Sequence, residues 1–139
     1  MCLEVRYVPY YDKTTKKQVV RSVIPVTMEH LSNSVSTIGL IDSGSEFTLF
    51  SAEWGIGIGI PVDRGEVRNI DGIGGSIPCT EHEAVLKFLN GEHAKEIKTK
   101  IMFSRKFKGP FVLLGRDAIF KLYDITFKDK EEKFIFKKI

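Results

Sequence analysis

The chain has 139 residues, 42% apolar and 28% charged, with a formal net charge of +3, the proportions of a folded domain able to bury a core without disulfides or metal. That charge is small and scattered, and its densest run, KDKEEK at 128–133, alternates in sign as a solvated turn does, which argues against a nucleic-acid partner. No apolar run reaches bilayer length, and the first residues put their basic side chains after the short apolar stretch, the reverse of a secretory leader, so a cytoplasmic protein with no membrane partner is expected.

In chain order almost every segment reads as strand. LEVRYVPYY alternates apolar and polar residues and QVVRSVIPVTM is rich in Val and Ile, with polar DKTTKK between them, so residues 3–27 predict an N-terminal hairpin with an exposed tip. VSTIGLI runs as a strand into Asp42, and EFTLFS leaves as another extended piece. A short helical turn is expected near Ser51–Trp54, with Ser51 as its cap; Gly55, Gly57, Gly59 and Pro61 forbid a long helix. EVRNI and SIPCTEHEAVLKFL flank DGIGG (71–75) as a long hairpin with a glycine tip. NGEH is a turn before EIKTKIMF, and FVLL is a continuous apolar strand. GRDAIFKLY carries the clearest helical signature, with Asp117 near its start and Lys121 near its end. DITF and EKFIFKKI close the chain as a hairpin. Cys2 and Cys79 lack partners at metal-ligand spacing and read as free thiols. The class is mostly β, a closed or partly closed barrel with short helices, in a single domain over residues 1–139.

Asp42 is the residue this pattern does not explain. It stands between Leu40-Ile41 and Leu49-Phe50, where burying a carboxylate costs several kcal/mol unless another group compensates. A turn aspartate at a strand end is the plain alternative to a catalytic one. Three stretches in order bear on the choice: LIDSGS, then IDGIGGSI, then GPFVLLGRD. This ordered set resembles the retropepsin-like aspartic proteases, the retroviral protease family and its cellular relatives. It covers roughly residues 35–127 and leaves residues 1–30 as an N-terminal extension.

Peptide hydrolysis by an activated water needs one group to take a proton and another to give one, and two carboxylates sharing a single proton do both. The chain has one Asp-Ser-Gly, and neither Asp117 nor Asp124 lies in a similar context, so it offers half of such a pair. A two-fold homodimer bringing both copies of Asp42 to its axis completes it. No metal and no cofactor is called for. His30, His82 and His93 stand in no triad-like context, which leaves Ser43 a poor serine nucleophile, and the glycines of 55–59 lack nucleotide-loop spacing.

Gly44 permits close approach of backbone and substrate, since it carries no Cβ. The remaining assignments are what the resemblance implies. Ser43 turns inward toward the partner's matching loop, and Ser45 joins the substrate-binding set. Gly72, Ile73 and Gly74 form the tip of a flap over a peptide or unfolded protein substrate. Pro110, Phe111 and Leu113 form the pocket wall with Leu40 beneath, and Glu46 pairs with Arg116 to brace the loop. The expected activity is a homodimeric aspartic endopeptidase; the alternative is a non-cleaving retropepsin-like module that binds peptides or dimerises.

Overall fold

Period-two alternation of apolar and polar residues becomes strand through most of the chain: the computed structural model, which describes residues 2–139, is 58% strand. Its strands are β1 (Cys2–Arg6), β2 (Val8–Asp12), β3 (Lys17–Arg21), β4 (Val23–His30), β5 (Asn33–Ile41) and β6 (Leu49–Ser51) in the first half. The second half holds β7 (Val67–Gly72), β8 (Gly75–Phe88), β9 (Lys95–Ser104), β10 (Val112–Leu114), β11 (Tyr123–Lys128) and β12 (Lys133–Lys138). One α-helix, α1 (Ala52–Gly57), is present among the described residues.

The main sheet has the order β4-β5-β10-β6-β9-β8-β7, and β4 also pairs with β8, Val26 facing Phe88 and Glu29 facing Val85. The pairings therefore return on themselves, with β7 outside the ring. Inside lie Ile24, Met28, Phe50, Leu86, Phe88, Ile101, Phe103 and Leu114, all at most 1% exposed. Burying each such side chain stabilises the fold by about 1.5–3 kcal/mol relative to leaving it in water. A smaller cluster, Leu49, Cys79 and Met102, sits apart from this core under Phe47, Ile70, Ile77, Phe107 and Leu113.

A second sheet, β1-β12-β11, closes one end, β12 contributing buried Phe134 and Phe136 and β11 contributing Tyr123. The Tyr123 hydroxyl donates to the His93 carbonyl at 2.7 Å, and burial pushes its phenol up from 10.0 to about 12. Cys2 and Cys79 are free thiols, the first exposed and the second buried; burial raises the Cys79 thiol.

Three expectations need correction. The N-terminal hairpin is β2 and β3 alone, Val8 facing Arg21 and Asp12 facing Lys17. β1 instead pairs antiparallel with β12, Leu3 facing Phe136. The alternation around residues 3–11 was real, but period alone does not name the partner strand. The helix expected in GRDAIFKLY is a single 3-10 turn, Ile119–Lys121, because β11 already begins at Tyr123 and leaves no room for further turns. The one α-helix lies at Ala52–Gly57 and runs through Gly55, where an added Cβ would lie 2.6 Å from Val62 Cγ1 and 2.8 Å from Phe103 Cε1. Ser51 occupies its N-cap position without a side-chain cap bond.

Candidate active site

The apolar run Gly39-Leu40-Ile41 forms the end of β5, and Val112-Leu113-Leu114 runs parallel beside it, residue for residue. The main chain turns sharply where β5 ends. The Asp42 N–H donates to the Leu114 carbonyl at 3.0 Å, and the Asp42 carbonyl accepts from the Ser45 N–H at 3.1 Å. The carboxylate bends back on the turn, its Oδ1 accepting the Gly44 N–H at 2.9 Å. This is the hydrogen bond by which an aspartate stabilises its own turn, and it leaves Oδ2 without a hydrogen-bond partner among the described residues. A Cβ on Gly44 would lie 3.3 Å from Oδ1, so the glycine keeps the space beside the carboxylate clear.

Behind the turn, the loop 45–48 is clamped to Gly115-Arg116-Asp117. The Arg116 N–H donates to the Ser45 carbonyl at 2.9 Å and the Asp117 N–H to the Glu46 carbonyl at 3.1 Å. Fully buried Thr48 completes the latch: its hydroxyl donates to Asp117 Oδ1 at 2.7 Å and accepts the Gly115 N–H at 3.3 Å. A Cβ on Gly115 would collide with the Phe47 carbonyl and lie 2.8 Å from the Ser45 carbonyl oxygen. The glycine of this motif is thus required by close backbone approach.

Asp42 opens into a cavity of about 570 Å³. Phe47, Leu49, Ile70, Ile77, Phe107 and Leu113 give it apolar walls, and Gly44 and Ser45 line it beside the carboxylate. Over it stand Asp71, Gly72, Ile73 and Gly75 from the tip of the β7–β8 hairpin. Gly72 faces Gly75 across that tip. Ile73 is fully exposed, and Gly74 and Gly75 have φ of +93° and +136°, angles that disfavour side chains. Arg68, at the base of the hairpin, places its guanidinium 5.0 Å from the Phe47 ring centroid and 3.1 Å from Glu81. It ties the hairpin to the Asp42 loop. A separate cavity, lined by Pro25, Lys87, Leu89, Lys95 and Glu96 among others, contains none of the motif residues.

Asp42, Gly44, Ser45, Gly72, Ile73 and Leu113 are therefore brought together around one cavity. Gly74, Pro110, Phe111 and Leu40 do not line it: Leu40 is half-buried beside Leu113 in the strand register, and Pro110 is exposed. Ser43 is exposed, and its hydroxyl has no partner among the described residues. Glu46 and Arg116 both reach a shallow cavity of about 380 Å³ behind the loop, and both are exposed. No ion pair joins them among the described residues; the bracing falls to Thr48, Asp117 and the backbone bonds. Sequence reasoning missed Phe47, Leu49, Ile70, Asp71, Ile77 and Phe107. The alternation of β7 and β8 around the glycine tip was the signal for Ile70 and Ile77, two residues outside the glycines on the same face.

The chain matches no protein-family model and no curated protein. Among solved structures it is similar to EIAV protease, determined in complex with the inhibitor HBY-793, at 22% sequence identity and a TM-score of 0.52. The likeness covers 70% of this chain and 83% of that one. The fold is therefore mostly β and retropepsin-like. No helix among the described residues is long and apolar enough to cross a membrane.

Proposed function

We propose that the protein is a homodimeric aspartic endopeptidase whose two Asp42 carboxylates, one from each copy, activate a water for peptide-bond hydrolysis. The observation that carries this reading is the position of Asp42, at the mouth of an apolar cavity beneath a glycine-tipped hairpin. The retropepsin-like fold supports it.

Within one chain the carboxylate has its turn and its cleft but no matching Asp-Ser-Gly, so the reaction requires the second copy. One Asp42 is ionised and removes a proton from the water as its oxygen bonds to the scissile carbonyl carbon. The other Asp42 is protonated and gives its proton to the carbonyl oxygen, yielding a neutral tetrahedral diol. Collapse of the diol passes a proton to the leaving nitrogen and breaks the C–N bond, releasing acid and amine. The β7–β8 hairpin acts as the flap: it closes over an extended peptide and excludes bulk water, with the Ile73 N–H available to substrate carbonyls. The walls formed by Phe47, Leu49, Ile77, Phe107 and Leu113 favour apolar side chains beside the scissile bond.

The test is Asp42→Asn assayed on an unfolded protein substrate. The amide cannot act as base, so cleavage disappears while circular dichroism and dimer mass stay as in the wild type. An Asn variant that cleaves at the wild-type rate overturns the proposal, and wild-type protein that binds the substrate without cutting it supports the non-cleaving module instead.

A further inference from the structure

The β2–β3 hairpin belongs to neither large sheet, yet it is anchored close to the candidate catalytic residue. Ser22, the residue that follows β3, accepts the Ile41 N–H through its carbonyl at 3.1 Å, one residue before Asp42. On its other side the hairpin rests Tyr10 edge-on against Phe111, ring centroids 5.1 Å apart. Phe111 lies in the bend that leads into β10, two residues before Leu113, a wall of the cleft. Tyr10 therefore stands beside the segment that enters the cleft wall at Leu113. Arg21, 6.0 Å from the Tyr10 centroid and 3.5 Å from Asp12, ties the base of the hairpin to the end of β2.

The tip differs in character from the base. Asp12 spends its carboxylate on Arg21 and on the Thr14 N–H at 2.9 Å. Lys13, Lys16 and Lys17 are exposed, and none of them is in an ion pair among the described residues. Each strand has five residues, so the tip reaches about 17 Å from the base, the length of roughly five residues of extended peptide.

We propose that this hairpin is a substrate-reading arm: Tyr10 and Phe111 prolong the apolar wall beyond Leu113, and the lysine tip selects peptides carrying acidic residues several positions from the scissile bond. The inference rests on the endopeptidase reading for the identity of the ligand, a peptide, and adds its charge pattern. Charge complementarity is its basis, because the tip presents three cations and its one carboxylate is already engaged.

The experiment compares two fluorescent peptides with the same apolar centre, one flanked on both sides by three Glu and the other by three Gln. The ratio of their kcat/KM values is measured for wild type and for the triple variant Lys13→Gln, Lys16→Gln, Lys17→Gln. The ratio of their Kd values is measured by anisotropy on Asp42→Asn protein with and without the same three changes. At low salt the Glu peptide is favoured about tenfold in wild type, a preference that salt weakens as it does for exposed charges. In the triple variant both ratios fall to near one. Ratios near one in wild type, or an unchanged preference in the triple variant, overturn the arm while leaving proteolysis standing. Absence of cleavage with the anisotropy preference intact overturns proteolysis and supports the arm.

Discussion

Thr48 and Asp117, far apart in sequence, share a hydrogen bond of 2.7 Å in which the buried hydroxyl donates to the carboxylate. The same hydroxyl accepts from Gly115, so one side chain holds the Asp42 loop against the segment that follows β10. Thr48→Val keeps the shape and removes the donor. It should lower stability by about 1–3 kcal/mol, the cost of an unsatisfied buried polar group, and lower turnover with it. Arg116→Ala, which removes an exposed side chain with no ion pair among the described residues, should change monomer stability by no more than about 0.5 kcal/mol. Urea melts of the two variants at low protein concentration test the contrast; equal losses would return the bracing role to Arg116.

Gly74 has φ of +93° with no atom within 4 Å of a Cβ placed there. Space is available, so Gly74→Val strains only the backbone, by about 1–2 kcal/mol confined to the tip. Turnover should drop well below wild type while the melting temperature moves by only a few degrees. Wild-type turnover would show the tip to be an ordinary surface turn.

On the proposed mechanism each chain supplies half a dyad, and activity is then a property of the pair. Specific activity should fall on dilution and recover on concentration, in step with the mass seen by light scattering. Activity proportional to concentration throughout, from a species of monomeric mass, contradicts a shared site.

Tyr123 gives a pH dependence of known sign. Its folded phenol is raised from 10.0 to about 12 by burial, so the unfolded chain releases this proton first. The stabilisation is whole below pH 10 and is lost as pH climbs toward 12. Tyr123→Phe leaves the His93 carbonyl without its donor and should be less stable at neutral pH. The gap in melting temperature between the two proteins should narrow between pH 10 and 12. A constant gap would mean that folding does not shift the phenol's pKa.

Much of this arrangement was legible before any coordinates. The alternation of EVRNI and SIPCTEHEAVLKFL around DGIGG gave the β7–β8 hairpin with its glycine tip, and GLI beside VLL gave the frame of Asp42. Partners remote in sequence were not legible. Nothing in LEVR says that it pairs with FIFK, and nothing in SEFT says that the side chain of Thr48, and not that of Glu46, bonds the segment after Leu114. Side-chain direction in irregular backbone was equally hidden: Phe107 enters the cleft and Phe111 turns to Tyr10, although the two look alike in the sequence. The helical signature of GRDAIFKLY was a true local preference that the early start of β11 overrode.

The seat of β1 has a consequence for how the molecule is made. Cys2 faces Lys137 and Val5 faces Phe134, so β1 joins a strand that lies far from it in sequence. Until β12 is in place, Leu3 and Val5 have no sheet to enter, and β1 has both edges open. The local hairpins β2–β3, β4–β5, β7–β8 and β11–β12 can each close early, whereas this closure spans almost the whole chain and carries the largest loop entropy. Closing β1 onto β12 therefore carries the highest loop-closure cost of any pairing in the fold, and until it forms both strands keep an unpaired edge.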